Sequence, residues 1–132
     1  MYIPIFKKQT FDVAEGRYKS KVISMYKVQK RGECSEAIKI LFAPLELEKK
    51  LEQSVVASEY CIDCPNETLV DDLNTILSGG FDAHVDDNGD FDHKAVNERL
   101  VDIVVKGYHK GDHERPYTFV SAVLPPDALN VN

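Results

Sequence analysis

The stretch RYKSKVISMYKVQ, residues 17–29, decides how the rest of the chain is read. Tyr18, Val22, Tyr26 and Val28 share one parity; Lys19, Lys21 and Lys27 share the other, with Ile23 and Met25 between them. Successive side chains of a strand point to opposite faces. The alternation therefore predicts a β-strand with one face entering a core and the other basic with an apolar centre.

Downstream, KRGECS at 30–35 reads as a turn. EAIKILFAPLEL at 36–47 reads as a second strand with Ile38, Ile40 and Phe42 on one face, and Pro44 implies an edge, a bulge or the strand end. Residues 47–53 suit a short helical turn or a polar excursion. SVVASEYCID at 54–63 has strand composition, and the segment from Pro65 to Thr68 breaks it. At 68–77, Leu69, Val70, Leu73, Ile76 and Leu77 recur at helical spacing, Asp71 and Asp72 suit the first turns, and Ser78-Gly79-Gly80 stops the helix. HKAVNERL, from 93, reads as a short helix. RLVDIVVKGYHK at 99–110 and YTFVSAVLP at 117–125 read as strands joined by the hairpin loop GDHERP.

Upstream, residues 1–16 form an arm or strand-like lead-in ending in the turn signal Glu15-Gly16; residues 126–132 form a fraying tail. The chain reads as one domain, with 17–125 as its body. Three strands, a helix and two strands predict a mainly β fold. It is OB-fold-like, a five-stranded barrel with one helix between strands 3 and 4. A different small β-barrel, or an α+β sandwich with one helix on a sheet, gives a similar string.

A length of 132 residues suits a single core. No apolar run approaches the roughly 20 residues that cross a bilayer, and the N-terminus lacks the order of a signal peptide, so the expectation is a cytoplasmic protein with no membrane partner. The net charge of −6 hides a split. Residues 1–31 carry eight Lys and Arg against Asp12 and Glu15, a balance of +6, which leaves −12 for the remainder. Residues 59–92 hold ten acidic side chains and no Lys or Arg. One region is suited to a polyanion and the other to solvent or a basic protein partner.

Cys61 and Cys64 in YCIDCP invite a metal or thiol-redox reading, with Cys34, His84, His93, His109 and His113 as further ligands. A closed zinc site usually takes four ligands, and no second pair has matching spacing, so the expectation is free thiols near a small core and no metal or other cofactor. FDAHVDDNGDFD fails as a calcium loop: aligned on Gly89, its first and twelfth positions are His84 and Ala95. No phosphate loop, dinucleotide fingerprint, nucleophile elbow, triad or acid–base pair is present, so no catalytic residue is assigned and no enzyme is expected.

GRYKSKVISMY, the mid-chain helix TLVDDLNTILSGGF and the closing hairpin ERLVDIVVKGYHKGDHERPYTFVSAVLPP together resemble phage- and prophage-encoded OB-fold proteins that bind single-stranded DNA, over roughly residues 14–126. The resemblance implies single-strand binding in replication or recombination.

The residues agree with such a role. Single strands are held by a positive groove and aromatic stacking platforms, and OB-folds bind between the loops that follow their first and fourth strands. Lys19, Lys21, Tyr26 and Lys27 on the first strand, Lys30 and Arg31 in its loop, Lys39 on the second strand, and Tyr108, His109, Lys110, Arg115 and Tyr117 around the last hairpin make up the expected binding set. The expected partner is single-stranded DNA, engaged by a homo-oligomer, a dimer by default. The alternative is a non-catalytic protein-interaction or assembly module that binds no nucleic acid.

Overall fold

The computed structural model describes residues 8–29, 35–62, 66–108 and 117–126. In chain order the strands are β1 (Lys8–Thr10), β2 (Gly16–Gln29), β3 (Glu36–Pro44), β4 (Glu52–Ser54) and β5 (Val56–Cys61). Helix α1 (Glu67–Ile76) and strands β6 (Leu100–Tyr108) and β7 (Tyr117–Leu124) follow. Short 3-10 turns cover Leu45–Leu47, Phe81–His84 and His93–Val96.

The fold is mainly β. Five strands form one antiparallel sheet in the order β5-β3-β2-β6-β7, and β1 pairs with β4 in a separate parallel ladder. The long β2 is central because it pairs on both sides, with β6 through its first half and with β3 through its second. At the crossover the β3 ladder skips Ile23, while Val22 exchanges backbone hydrogen bonds with Glu98 and Arg99 at 2.7 and 2.8 Å. A second irregularity lies between Val104 and Val105. Bulges bend and twist a sheet, and this one curls far enough to bring the Cα atoms of its edge strands, β5 and β7, within 8 Å of each other.

Two expectations are corrected. The sheet is not a closed barrel: β5 and β7 are neighbours with no ladder between them among the described residues. The helix follows the fifth strand in chain order, not the third. The displacement arises because the lead-in and the 47–53 excursion each supply a short strand, and these find one another. Asp12 fastens that ladder, its Oδ1 accepting from Thr10 Oγ1 at 2.9 Å and Ser54 Oγ at 3.0 Å. These two bonds hold its carboxyl below the ordinary carboxylate value.

The core fills the inside of the curl. Val22, Ile40, Phe42 and Ile103 are wholly buried, with Val101, Val105 and Val13 beside them. Helix α1 closes one mouth by inserting Leu73, Ile76 and Leu77. Asn66 starts it, its Oδ1 accepting from the Leu69 N–H at 3.0 Å. It ends as predicted, with Ser78 and Gly79 at φ of 54° and 85°, a left-handed exit that Gly79 accommodates without strain. Val70, placed on the apolar stripe by its spacing, is 38% exposed.

Candidate functional site

The bulge at Ile23 decides which side chains share a surface. Before it, Ser20 and Val22 point inward and Arg17, Lys19 and Lys21 outward; after it Met25 points inward, so Tyr26 emerges on the outward side. Lys27 is carried to the inward side. It pairs in register with Ile38, which packs against the core, and its exposed ammonium lies 3.8 Å from Glu36. Constant alternation gives Tyr26, a member of the expected binding set, the parity of Val22, and sets Lys27 beside Lys19 and Lys21; the bulge reverses both placements.

Lys39 is the cross-strand neighbour of Tyr26. On β7, Tyr117 is 55% exposed and stands in register with Tyr108. The outward side thus brings together Lys19, Lys21, Tyr26, Lys39 and Tyr117 of the expected set. Lys30, Arg31, His109, Lys110 and Arg115 lie outside the described residues, as does the side chain of Tyr108. Arg17 and Lys106 were missed, although each shares strand parity with a predicted residue: Arg17 with Lys19, Lys106 with Tyr108.

The outward field is less positive than a count of lysines implies. Lys39 lies 4.0 Å from Glu59, and Lys19 stands opposite the buried Asp102 in the β2–β6 ladder. The described acids of 59–92 are placed on β5, on α1 and along the connection to β6; Asp63 lies outside the described residues. In that connection Asp86 Oδ1 accepts from the N–H groups of Asn88 and Asp90, both at 2.9 Å, which makes the Asn88-Gly89 stretch a self-bonded turn.

A cleft of about 570 Å³ lies between β5, α1 and β7. Tyr60 and Ser58 come to it from β5, Asn66, Thr68 and Asp72 from α1, Tyr117 and Phe119 from β7. The Tyr60 hydroxyl donates to Asp72 Oδ2 at 2.5 Å. Burial, and then this bond, push the Tyr60 phenol far above its ordinary value. Burial also raises the Asp72 carboxyl, the Tyr60 hydrogen bond opposing and Asp71 adding. Ser58 is buried two residues before Tyr60, and its Oγ has no hydrogen-bond partner: it is near enough to influence the phenol but does not reach bonding geometry.

A second, more apolar groove of about 640 Å³ runs between the β2–β3 end, α1 and the α1–β6 connection. Its floor includes Phe81 and Phe91, stacked with centroids 5.4 Å apart and ring planes 16° from parallel.

Among the described residues no three His, Cys, Asp or Glu side chains converge as a metal site would require. Cys61 is disulfide-bonded, which corrects the free-thiol expectation for that residue; Cys34 and Cys64 lie outside the described residues. Register explains why a bond is available at this end of the sheet. Ala37 pairs with Cys61, and both other cysteines lie within three positions of that pair in sequence. Disulfides are rare in the cytosol, so this bond pulls against the cytoplasmic expectation. No described helix is long and apolar enough to cross a membrane.

No family model matches the chain, and no curated protein matches it.

Proposed function

We propose that this chain binds single-stranded nucleic acid, DNA in the first instance, with little regard for sequence and without catalysis, on an open OB-like barrel. The observation that carries the reading is the adjacency of Tyr26, 38% exposed, and Lys39 across the β2–β3 ladder on the outward side of the sheet. A base stacks on an aromatic face while a neighbouring cation meets the phosphate, and strands of any sequence supply both groups. Lys19, Lys21, Arg17 and Lys106 add cations on the same side, and Tyr117 adds a second ring. With the two short strands set aside, the order third-second-first-fourth-fifth is compatible with a partly open OB barrel, whose ligand face lies over its second and third strands. Such a barrel contacts few nucleotides, so a dimer would raise avidity. The resemblance to phage OB-fold proteins implies a role in replication or recombination.

The pairing of Lys39 with Glu59 and of Lys27 with Glu36 favours a second reading, an interaction module with no nucleic-acid ligand. Fluorescence anisotropy of a labelled oligothymidine, titrated from low to physiological salt and competed with duplex, separates the two. Saturable, salt-sensitive binding that duplex does not displace is expected. Flat anisotropy at low salt would leave the interaction module.

A further inference from the structure

The cleft between β5, α1 and β7 has the features of a ligand site, and it shares Tyr117 with the outward cationic surface. At about 570 Å³ it falls within the roughly 300–1,000 Å³ usual for small-molecule sites. One wall is aromatic, with Tyr117 and Phe119 two residues apart on β7. The opposite wall carries Asp72, whose Oδ2 is occupied by the Tyr60 hydroxyl. That bond fixes the carboxylate and leaves Oδ1 as an acceptor. Ser58, whose buried Oγ has no hydrogen-bond partner, is part of the lining. Exposed Lys106 stands across the β6–β7 ladder from Phe119, and Glu59 joins Asp72 in the lining.

We propose that this cleft is a subsite for one unstacked nucleobase bearing an exocyclic amino group, with Asp72 accepting the amino N–H and Tyr117 and Phe119 stacking on or flanking the ring. The proposal rests on the single-strand reading and adds a preference to it. Carboxylates accept from the N4 amino group of cytosine, and the N6 amino group of adenine offers the same donor. Thymine presents only its N3–H, flanked by carbonyl oxygens that a carboxylate repels. Among the described residues the charged side chains that line the cleft, Glu59 and Asp72, are both acidic, so the cation that meets the attached phosphate is Lys106, beside Phe119 across the β6–β7 ladder and outside the lining.

The test compares labelled oligodeoxycytidine, oligodeoxyadenosine and oligothymidine of equal length on the full chain. Wild type is expected to bind the first two roughly tenfold tighter than oligothymidine, the discrimination of a single good base contact. In Asp72→Asn, Oδ1 keeps the Tyr60 bond and the amide N–H₂ faces the cleft, so the preference disappears while oligothymidine binding stays. Amide NMR signals of Ser58, Asp72 and Phe119 in the wild type are expected to shift with dCMP and not with dTMP, which needs no variant to fold. Equal affinity for all three strands, unchanged in Asp72→Asn, would overturn the subsite and leave the single-strand reading standing. No binding of any strand would remove both. Shifts caused by N-acetyl-arginine amide and not by dCMP would assign the cleft to a basic peptide and also overturn the proposal.

Discussion

Tyr60 on β5 donates its hydroxyl to Asp72 Oδ2 on α1 at 2.5 Å, and this bond ties the helix to the sheet edge beside the cleft. Because burial raises the Asp72 pKa above 3.8, the folded protein holds that proton more tightly than the unfolded chain does. The resulting stability is fully present below 3.8 and is lost as pH rises through the elevated value. Asp72→Asn removes this loss. Its melting temperature relative to wild type should therefore be higher at neutral pH than in acid. Tyr60→Phe strips the carboxylate of its donor and should cost about 1–3 kcal/mol, most at neutral pH. Thermal melts across pH check both, and a difference that does not vary with pH would contradict the assignment.

Asn66 serves two masters at the start of α1. Its Oδ1 caps the Leu69 N–H, and its Nδ2 donates to the Cys61 carbonyl at 2.9 Å. Asn66→Ala should lower stability by about 1–2 kcal/mol, the upper part of the range for a lost N-cap. Urea denaturation would show this as a lower midpoint with an unchanged slope.

Phe42 is wholly buried in the middle of the curl, whereas Phe11 is 69% exposed. Phe42→Ala should cost about 3–5 kcal/mol through lost burial and the cavity left behind. Phe11→Ala should stay within about 0.5 kcal/mol of wild type. Comparable losses at the two sites would show that the lead-in is packed more firmly than its exposure implies.

The outward side of the sheet makes distinct predictions for three neighbours. Lys39→Ala should flatten the salt dependence of single-strand binding by about 0.7 in log–log slope, one phosphate contact on a single strand. Tyr26→Ala should weaken binding by about 1–3 kcal/mol if a base stacks there. Lys27→Ala should change neither, because the bulge has turned Lys27 to the other side. Anisotropy titrations at several salt concentrations separate the three.

The Cys61 disulfide is checked by alkylation under native, non-reducing conditions followed by mass spectrometry. One of the three cysteines should label, and all three after reduction and unfolding. Labelling of all three without reductant would remove the bond.

Strand positions were legible because burial of one face enforces period-two alternation, and that pattern is local. The segments 17–29, 99–110 and 117–125 were read to within two residues of their observed ends, and α1 to within one. The short strands β1 and β4 were not. A three-residue strand has too few positions to show a period, and it exists only because its partner lies alongside. The expected cations and rings on β2 were recognised as residue types, but their sides were read wrongly beyond Ile23. The bulge there comes from the exchange of partners between β6 and β3, and no property of residues 22–24 alone specifies it. Lys106 and Arg17 were open to discovery by the same parity argument that selected their neighbours.

By itself the sequence determined the mainly β character, the mid-chain helix with its stop, and the separation of basic from acidic segments. Each of these follows from side-chain chemistry at short range. The tertiary structure alone decided that the sheet curls without closing and that Tyr26 faces outward while Lys27 does not. It also decided that Tyr60 meets Asp72 beside Phe119 in one cleft. Those arrangements depend on which strands become neighbours, and that choice is made by the packing of the whole core around Phe42, Ile40 and Ile103.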